Sequence, residues 1–290
     1  MNSRYDRNIR FFGEEGQQRL RNAKVTIVGV GGVGSHMTQQ LALLGLGSIA
    51  LIDAEELDET NRNRYVTARI SDKIPGTLKV DIGERLINEI DPSIEVIKVR
   101  DSVVSDGAFR AILRSDYVFG SVDSEGARLV LTELCSAYRL SYFDVASDIE
   151  PGDRLRYGGR VCAALRGEGC LVCLGQLDMD EARRKLAGPE ARKLRGVIYG
   201  VEKQQLGRAG PSVVSINGVV ASLAVTEFMV GATGIREPNR LTIYRGNMGR
   251  VLVSDDAPKP DCFYCKSVWG QGERADTQRY IREGVGAFLR

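Results

Sequence analysis

The segment Lys24-Val-Thr-Ile-Val-Gly-Val30 runs straight into Gly29-Val-Gly31-Gly32-Val-Gly34, and a helix-patterned stretch, SHMTQQLALLGLG, follows. A short apolar run of this kind reads as a strand buried on both faces. Glycines at the strand-to-helix junction permit a tight turn. They also leave the first helical amides open to an anion, which the helix dipole favours. The same rhythm continues through the first half. Ser48–Asp53 reads as a strand, 77–90 as a helix closed by Asp91-Pro92, and 94–99 as a strand. Then come a helix over 106–115, a strand over 116–122, a helix over 124–140 and a strand over 141–145. Such alternation predicts βαβ units and an α/β fold with a Rossmann-like, doubly wound, mostly parallel sheet.

Beyond residue 150 the pattern changes. Arg156–Leu165 and the hairpin LTIYRGNMGRVLVS, with Asn247-Met-Gly249 in its turn, read as antiparallel strands. Between them lie a basic, helix-prone insert over 178–195 and an apolar, small-residue-rich helix over 212–230, expected in the core or at a subunit interface. The division is a polar N-terminal arm (1–23), a Rossmann-like nucleotide-binding part (24–150) and a C-terminal part (151–290) of the same domain.

Composition narrows the function. Forty Lys and Arg against 38 Asp and Glu give a net charge of +2, which offers no support for a nucleic-acid-coating role. No stretch is read as approaching the roughly 18–20 apolar residues of a membrane span, and the charged start MNSRYDRNIRFF has no signal-peptide core. A cytoplasmic protein is expected. His36 is the one histidine, which leaves little room for a Ser-His-Asp triad or a histidine proton shuttle.

Four of the six cysteines form two C-x-x-C pairs, Cys170/Cys173 and Cys262/Cys265. In a reducing compartment such pairs read as metal knuckles. Together they match one structural, tetrahedral Zn²⁺ that staples the C-terminal tail onto the middle of the chain. Cys135 and Cys162 lie in helix and strand patterns and are expected in the core.

Asp53 ends the second strand, where a carboxylate can accept from ribose hydroxyls. Asn61, Arg62, Asn63 and Arg64 follow in a loop, Lys79 opens the next helix, and Asp123 ends the fourth strand. Ligands of open α/β sheets bind outside the carboxyl ends of the strands, so these groups can converge. Several cations with one acid suit a triphosphate with Mg²⁺. Gly29, Gly31, Gly34 and Asp53 by themselves are equally compatible with an NAD-dependent oxidoreductase.

With these pieces in order the chain resembles the ThiF/MoeB/HesA family. The matching residues are Arg4-Tyr5-x-Arg7, Gly16-Gln17, Gly29-x-Gly31-Gly32-x-Gly34, Asp53, Asn61-x-x-Arg64, Gly76-x-x-Lys79, Asp123 with Arg128, and the two cysteine pairs. The resemblance implies ATP·Mg²⁺ binding and adenylation of a C-terminal carboxylate, typically of a small ubiquitin-like or sulfur-carrier protein ending in Gly-Gly. It implies that Asp53 holds the ribose, that Asn61, Arg64 and Lys79 contact phosphates, and that Asp123 positions Mg²⁺. Arg7 resembles an arginine that reaches the neighbouring subunit's ATP, which implies a homodimer. A peptide, amino-acid or modified-tRNA carboxylate is the alternative substrate within the family, and a non-catalytic adaptor on the same scaffold is the third reading. Many relatives carry an acyl-accepting cysteine in the loop after the first knuckle. Here 174–210 has none, so direct passage of the activated acyl group to sulfide, a conjugating enzyme or another acceptor is expected.

Overall fold

The computed structural model describes residues 3–150, 155–187, 211–255 and 257–285. One eight-stranded sheet runs through them, in the order β3-β2-β1-β4-β5-β6-β7-β8. Its strands are β1 (Lys24–Val28), β2 (Ser48–Ile52), β3 (Glu95–Val99), β4 (Tyr117–Gly120), β5 (Ser141–Glu150), β6 (Arg156–Ala164), β7 (Leu241–Arg245) and β8 (Arg250–Val253). The first five are parallel; β6, β7 and β8 are each antiparallel to the strand before them. The predicted fold class is thus the observed one. β5 is twice as long as the apolar run that marks it, because its largely polar second half, Ala146–Glu150, pairs with Arg156–Arg160 of β6.

Alternate side chains of the central strands enter two different cores, as the pleat requires. Ile27, Leu51, Phe119 and Phe143 face one layer, and Val28, Ile52, Val118 and Tyr142 the other. Helices α2 (Gly32–Leu44), α3 (Lys79–Ile90) and α7 (Val214–Thr233) supply the first layer. There Phe228 of α7 meets Phe119 edge-on at 5.7 Å. Helices α4 (Asp106–Leu113) and α5 (Glu125–Ala137) with the cysteine knuckles supply the second.

The expected arm is a helix, α1 (Asp6–Asn22), kinked at Gly13, where φ is 77°. Tyr5 ahead of it donates to Asp91 Oδ2 at 2.9 Å, pinning the N-terminus beside the amino end of β3. Gly45 closes α2 in the left-handed region, and a side chain there would strike the Tyr5 ring. The basic insert forms α6 (Met179–Leu186), capped by Asp178, which accepts from the amides of Asp180 and Glu181. Its remaining cations Arg192, Lys193 and Arg195 lie outside the described residues.

One expectation is corrected. Helix α7 is long and apolar enough to cross a membrane by length and composition, with a mean hydropathy of 1.5. The apolar run is diluted by small residues and by Ser215, Asn217, Ser222, Thr226 and Glu227. Its buried face, through Val220, Ala224 and Phe228, packs into the core over the sheet.

Candidate active site

The strand order reverses between β1 and β4, and an open cleft of about 460 Å³ lies beyond their carboxyl ends. Gly29, Gly31, Gly32, Asp53, Asn61, Arg64, Lys79 and Asp123 all border it. Gly29 adopts φ of 84°, and an added Cβ would sit 2.6 Å from the Ser121 carbonyl. Gly34 is not in the wall. It lies in the first turn of α2, where a Cβ would meet the Gly29 carbonyl at 2.1 Å, so it serves the close packing of helix on loop.

Asp53 is tied down before any ligand arrives. Its Oδ2 accepts from the Val30 amide at 2.7 Å and its Oδ1 from the Glu55 amide at 2.8 Å. Burial raises its pKa, and the Lys79 charge opposes that rise. The carboxylate thereby braces the glycine turn while keeping lone pairs for a ribose. Lys79 has only 7% of its side chain exposed and is ion-paired with Glu55. Its backbone carbonyl accepts from the buried Tyr65 hydroxyl at 2.9 Å, which fixes the start of α3. Arg64 lays its aliphatic stem against Gly32 and donates to the Thr60 carbonyl. Asn61 ends a short helical turn, Glu59–Asn61, capped by Asp58, which accepts from the Thr60 amide at 2.8 Å. Asp123 stands exposed ahead of α5, and the neighbouring Ser124 Oγ is buried without a partner among the described residues.

Two expectations change. Arg62 does not border the cleft; it donates to the carbonyls of Arg69 at 2.5 Å and Asp72 at 2.9 Å and so holds the loop together. Besides Asp53 and Asp123, which the sequence reading placed here, Glu55, Glu56, Asp58 and Asp101 border the cleft, six acids against the cations Arg64 and Lys79. The chain after β2 folds back over the cleft, and Asp101 arrives from the end of β3, a convergence that sequence order conceals. Arg7 is exposed on α1 and does not border the cleft of its own chain.

The knuckles meet. All four Sγ atoms of Cys170, Cys173, Cys262 and Cys265 are buried and lie within 4.8 Å of one another. Cys170 and Cys262 are 3.6 Å apart, Cys173 and Cys265 3.8 Å. A tetrahedron with Zn–S bonds of about 2.3 Å has edges of about 3.8 Å, so the cluster is compatible with zinc. Hydrogen bonds from the Cys170 and Cys265 thiols draw Cys173 toward the thiolate. Cys135 and Cys162 are buried in the core, and burial pushes both thiols up, away from nucleophilic character. His36 lies outside the cleft, its ring packed over Gly218 of α7.

A doubly wound α/β domain with a phosphate-type glycine turn and a four-thiolate cluster is the class that this geometry defines. Residues 5–264 match the ThiF family, and the chain belongs to that family of ATP-dependent adenylyltransferases. It is 26% identical over 215 residues to the tRNA threonylcarbamoyladenosine dehydratase of Escherichia coli K12, covering 73% of this chain and 72% of that one. It is 23% identical over 268 residues to the adenylyltransferase and sulfurtransferase MOCS3-1 of Zea mays, covering 90% of this chain but about half of the relative (51%). The crystal structure of E. coli MccB with MccA-N7isoASN superposes with a TM-score of 0.69 at 22% identity, over 91% of this chain and 75% of that one, a likeness of fold. Family membership leaves the nicotinamide reading with no feature of its own.

Proposed function

We propose that this protein uses ATP to adenylate the C-terminal carboxylate of a small ubiquitin-like or sulfur-carrier protein ending in Gly-Gly. The observation that carries the reading is the convergence of Asp53, Asn61, Arg64, Lys79 and Asp123 on one cleft beside the glycine turn. In this scheme Asp53 accepts from the ribose, and Asn61, Arg64 and Lys79 hold phosphate oxygens. A carboxylate oxygen of the partner attacks the α-phosphorus, the bond to the β-phosphate oxygen breaks, and pyrophosphate leaves. No general base is required, because the attacking carboxylate is already ionised near neutrality. Catalysis is then placement plus stabilisation of charge on phosphate oxygens. Asp123, with Asp101 also bordering the cleft, offers the hard oxygen donors that suit Mg²⁺, which when bound would neutralise phosphate charge. Labelled pyrophosphate should exchange into ATP only when a Gly-Gly-ending partner is supplied; absence of exchange with the cognate partner would overturn the reading.

The excess of carboxylates over cations in the cleft also supports a homodimer in which the partner's Arg7 completes the site. Arg7→Ala and Asp123→Ala proteins should each be inactive. Mixed and reassociated, they should regain about a quarter of wild-type activity, since half the dimers are heterodimers with one intact site each. No recovery after demonstrated subunit exchange would exclude a shared site.

A second reading, adenylation of a carboxylate on a modified tRNA base, is favoured by the name of the Escherichia coli relative and by the absence of cysteine from 174–210. Exchange driven by tRNA rather than by protein would select it. In either case we place residues 24–150 and 151–290 in one ThiF-type domain of a cytoplasmic enzyme. Conjugating enzymes or sulfur donors are the expected recipients in the first reading.

A further inference from the structure

Helix α7 begins beside the glycine turn, and Asn217 in its first turn is 1% exposed. Its carboxamide is held at both ends. Oδ1 accepts from the Ser147 hydroxyl of β5 at 2.8 Å, and Nδ2 donates to the Ser212 hydroxyl, just ahead of the helix, at 3.0 Å. The nitrogen also stands against Gly32: a Cβ added there would sit 2.5 Å from it. The aliphatic stem of Arg64 lies 3.5 Å from the same point, so the cleft wall and a buried polar side chain meet at Gly32.

Packing alone does not call for a carboxamide here, since leucine branches in the same way. The neighbouring contacts of α7 are close and built on glycine. Val220 fits against Gly159 of β6, where a Cβ would meet its Cγ2 at 2.6 Å, and His36 of α2 lies over Gly218. Buried amides are expected to use all their donors. Asn217 has two N–H groups; one goes to Ser212, and the other has no acceptor among the described residues. The amino end of α2 at Gly31 likewise lacks a side-chain cap. The positive end of the carboxamide dipole and the positive end of the α2 dipole therefore meet at Gly32. Like poles in contact repel one another unless an anion lies over the turn.

We propose that Asn217 is a positioning residue for the triphosphate. Acting through Gly32, it holds the uncapped amino end of α2 where its amides meet phosphate oxygens, and Ser147 is its anchor on the sheet. This role rests on the nucleotide reading given above and extends that site to a buried residue outside the cleft wall. The ribose is assigned to Asp53, on the other side of the turn's amides, so the two halves of the ligand should respond separately. A change at Asn217 should weaken the grip on the phosphates and leave adenosine alone.

Calorimetric titration of the full-length protein with ATP and with adenosine, both in the presence of Mg²⁺, measures this. Wild type should bind ATP more tightly than adenosine. Asn217→Asp keeps the shape and the oxygen toward Ser147 but sets a carboxylate against Gly32. It should lose about tenfold or more in ATP affinity, the scale of one charged hydrogen bond, with adenosine affinity within twofold of wild type. Ser147→Ala, which releases the anchor, should lose about threefold in ATP affinity and again spare adenosine. Ser222→Ala, which removes the 3.0 Å hydrogen bond from Gln40 between the same two helices, should change neither. An unchanged preference for ATP in a folded Asn217→Asp protein, an equal loss of both ligands, or the same effect from Ser222→Ala would each overturn the proposal. Should Asn217→Asp fail to fold, Ser147→Ala decides on the same terms. Wild type with no preference for ATP over adenosine would remove the nucleotide reading as well. ATP binding that depends on Asn217, without pyrophosphate exchange on either class of carboxylate, would overturn the adenylation reading alone.

Discussion

Asp123→Ala is expected to abolish partner-dependent ATP–pyrophosphate exchange, with a loss of at least about a thousandfold, the upper range for one preorganised electrostatic group. The cleft brings six carboxylates and two cations to the place where a triphosphate would lie. Four further negative charges on ATP would meet net repulsion there unless a divalent cation bridges protein and phosphates. Asp123 is placed for that task by backbone rather than by side-chain contacts: it follows β4, is exposed, and sits ahead of the open amino end of α5. Removing it should leave the fold intact, so circular dichroism and melting temperature should match wild type. Glu95→Ala, on the far strand β3, should exchange normally. Exchange within twofold of wild type in the Asp123→Ala protein would remove this residue from the magnesium role.

Loss of the metal is the second large effect. Purified protein should hold about one zinc per chain, and Cys265→Ser should lose it and melt at least about 10 °C lower. The four sulfurs are buried at near-tetrahedral spacing, so a missing ligand leaves thiols with neither metal nor water around them. The C-terminal segment has other holds, among them Glu133 of α5, which accepts from both terminal nitrogens of Arg279, at 2.6 and 2.8 Å, and from Tyr280 at 2.7 Å. That clip limits the damage to partial release rather than complete unfolding. Cys135→Ala, a core truncation away from the cluster, should retain the metal. Metal-free wild type with an unchanged melting temperature would refute the assignment.

Much of this was readable from residue order. Apolar runs such as Ser48–Ile52 announced the parallel strands because central strands are buried on both faces. The glycine junction announced the nucleotide turn because only glycine tolerates its backbone angles and contacts. The cysteine spacing announced the cluster. Features formed by side chains distant in sequence were not readable. Nothing local marks Arg62 as a brace for its own loop or Glu55 as the partner of Lys79. The length of β5 was hidden, since its outer half is polar and becomes a strand only through pairing with β6.

The cysteine cluster has a topological consequence. A metal held there would join Cys173 to Cys262 and close a ring of chain whose two ends are fixed to the scaffold. Closing a flexible ring costs free energy that grows only logarithmically, about 0.6 kcal/mol per doubling of length. Within the ring α7, β7 and β8 are held by the core and the sheet, so only the segments linking those elements can lengthen or shorten at so small a thermodynamic penalty.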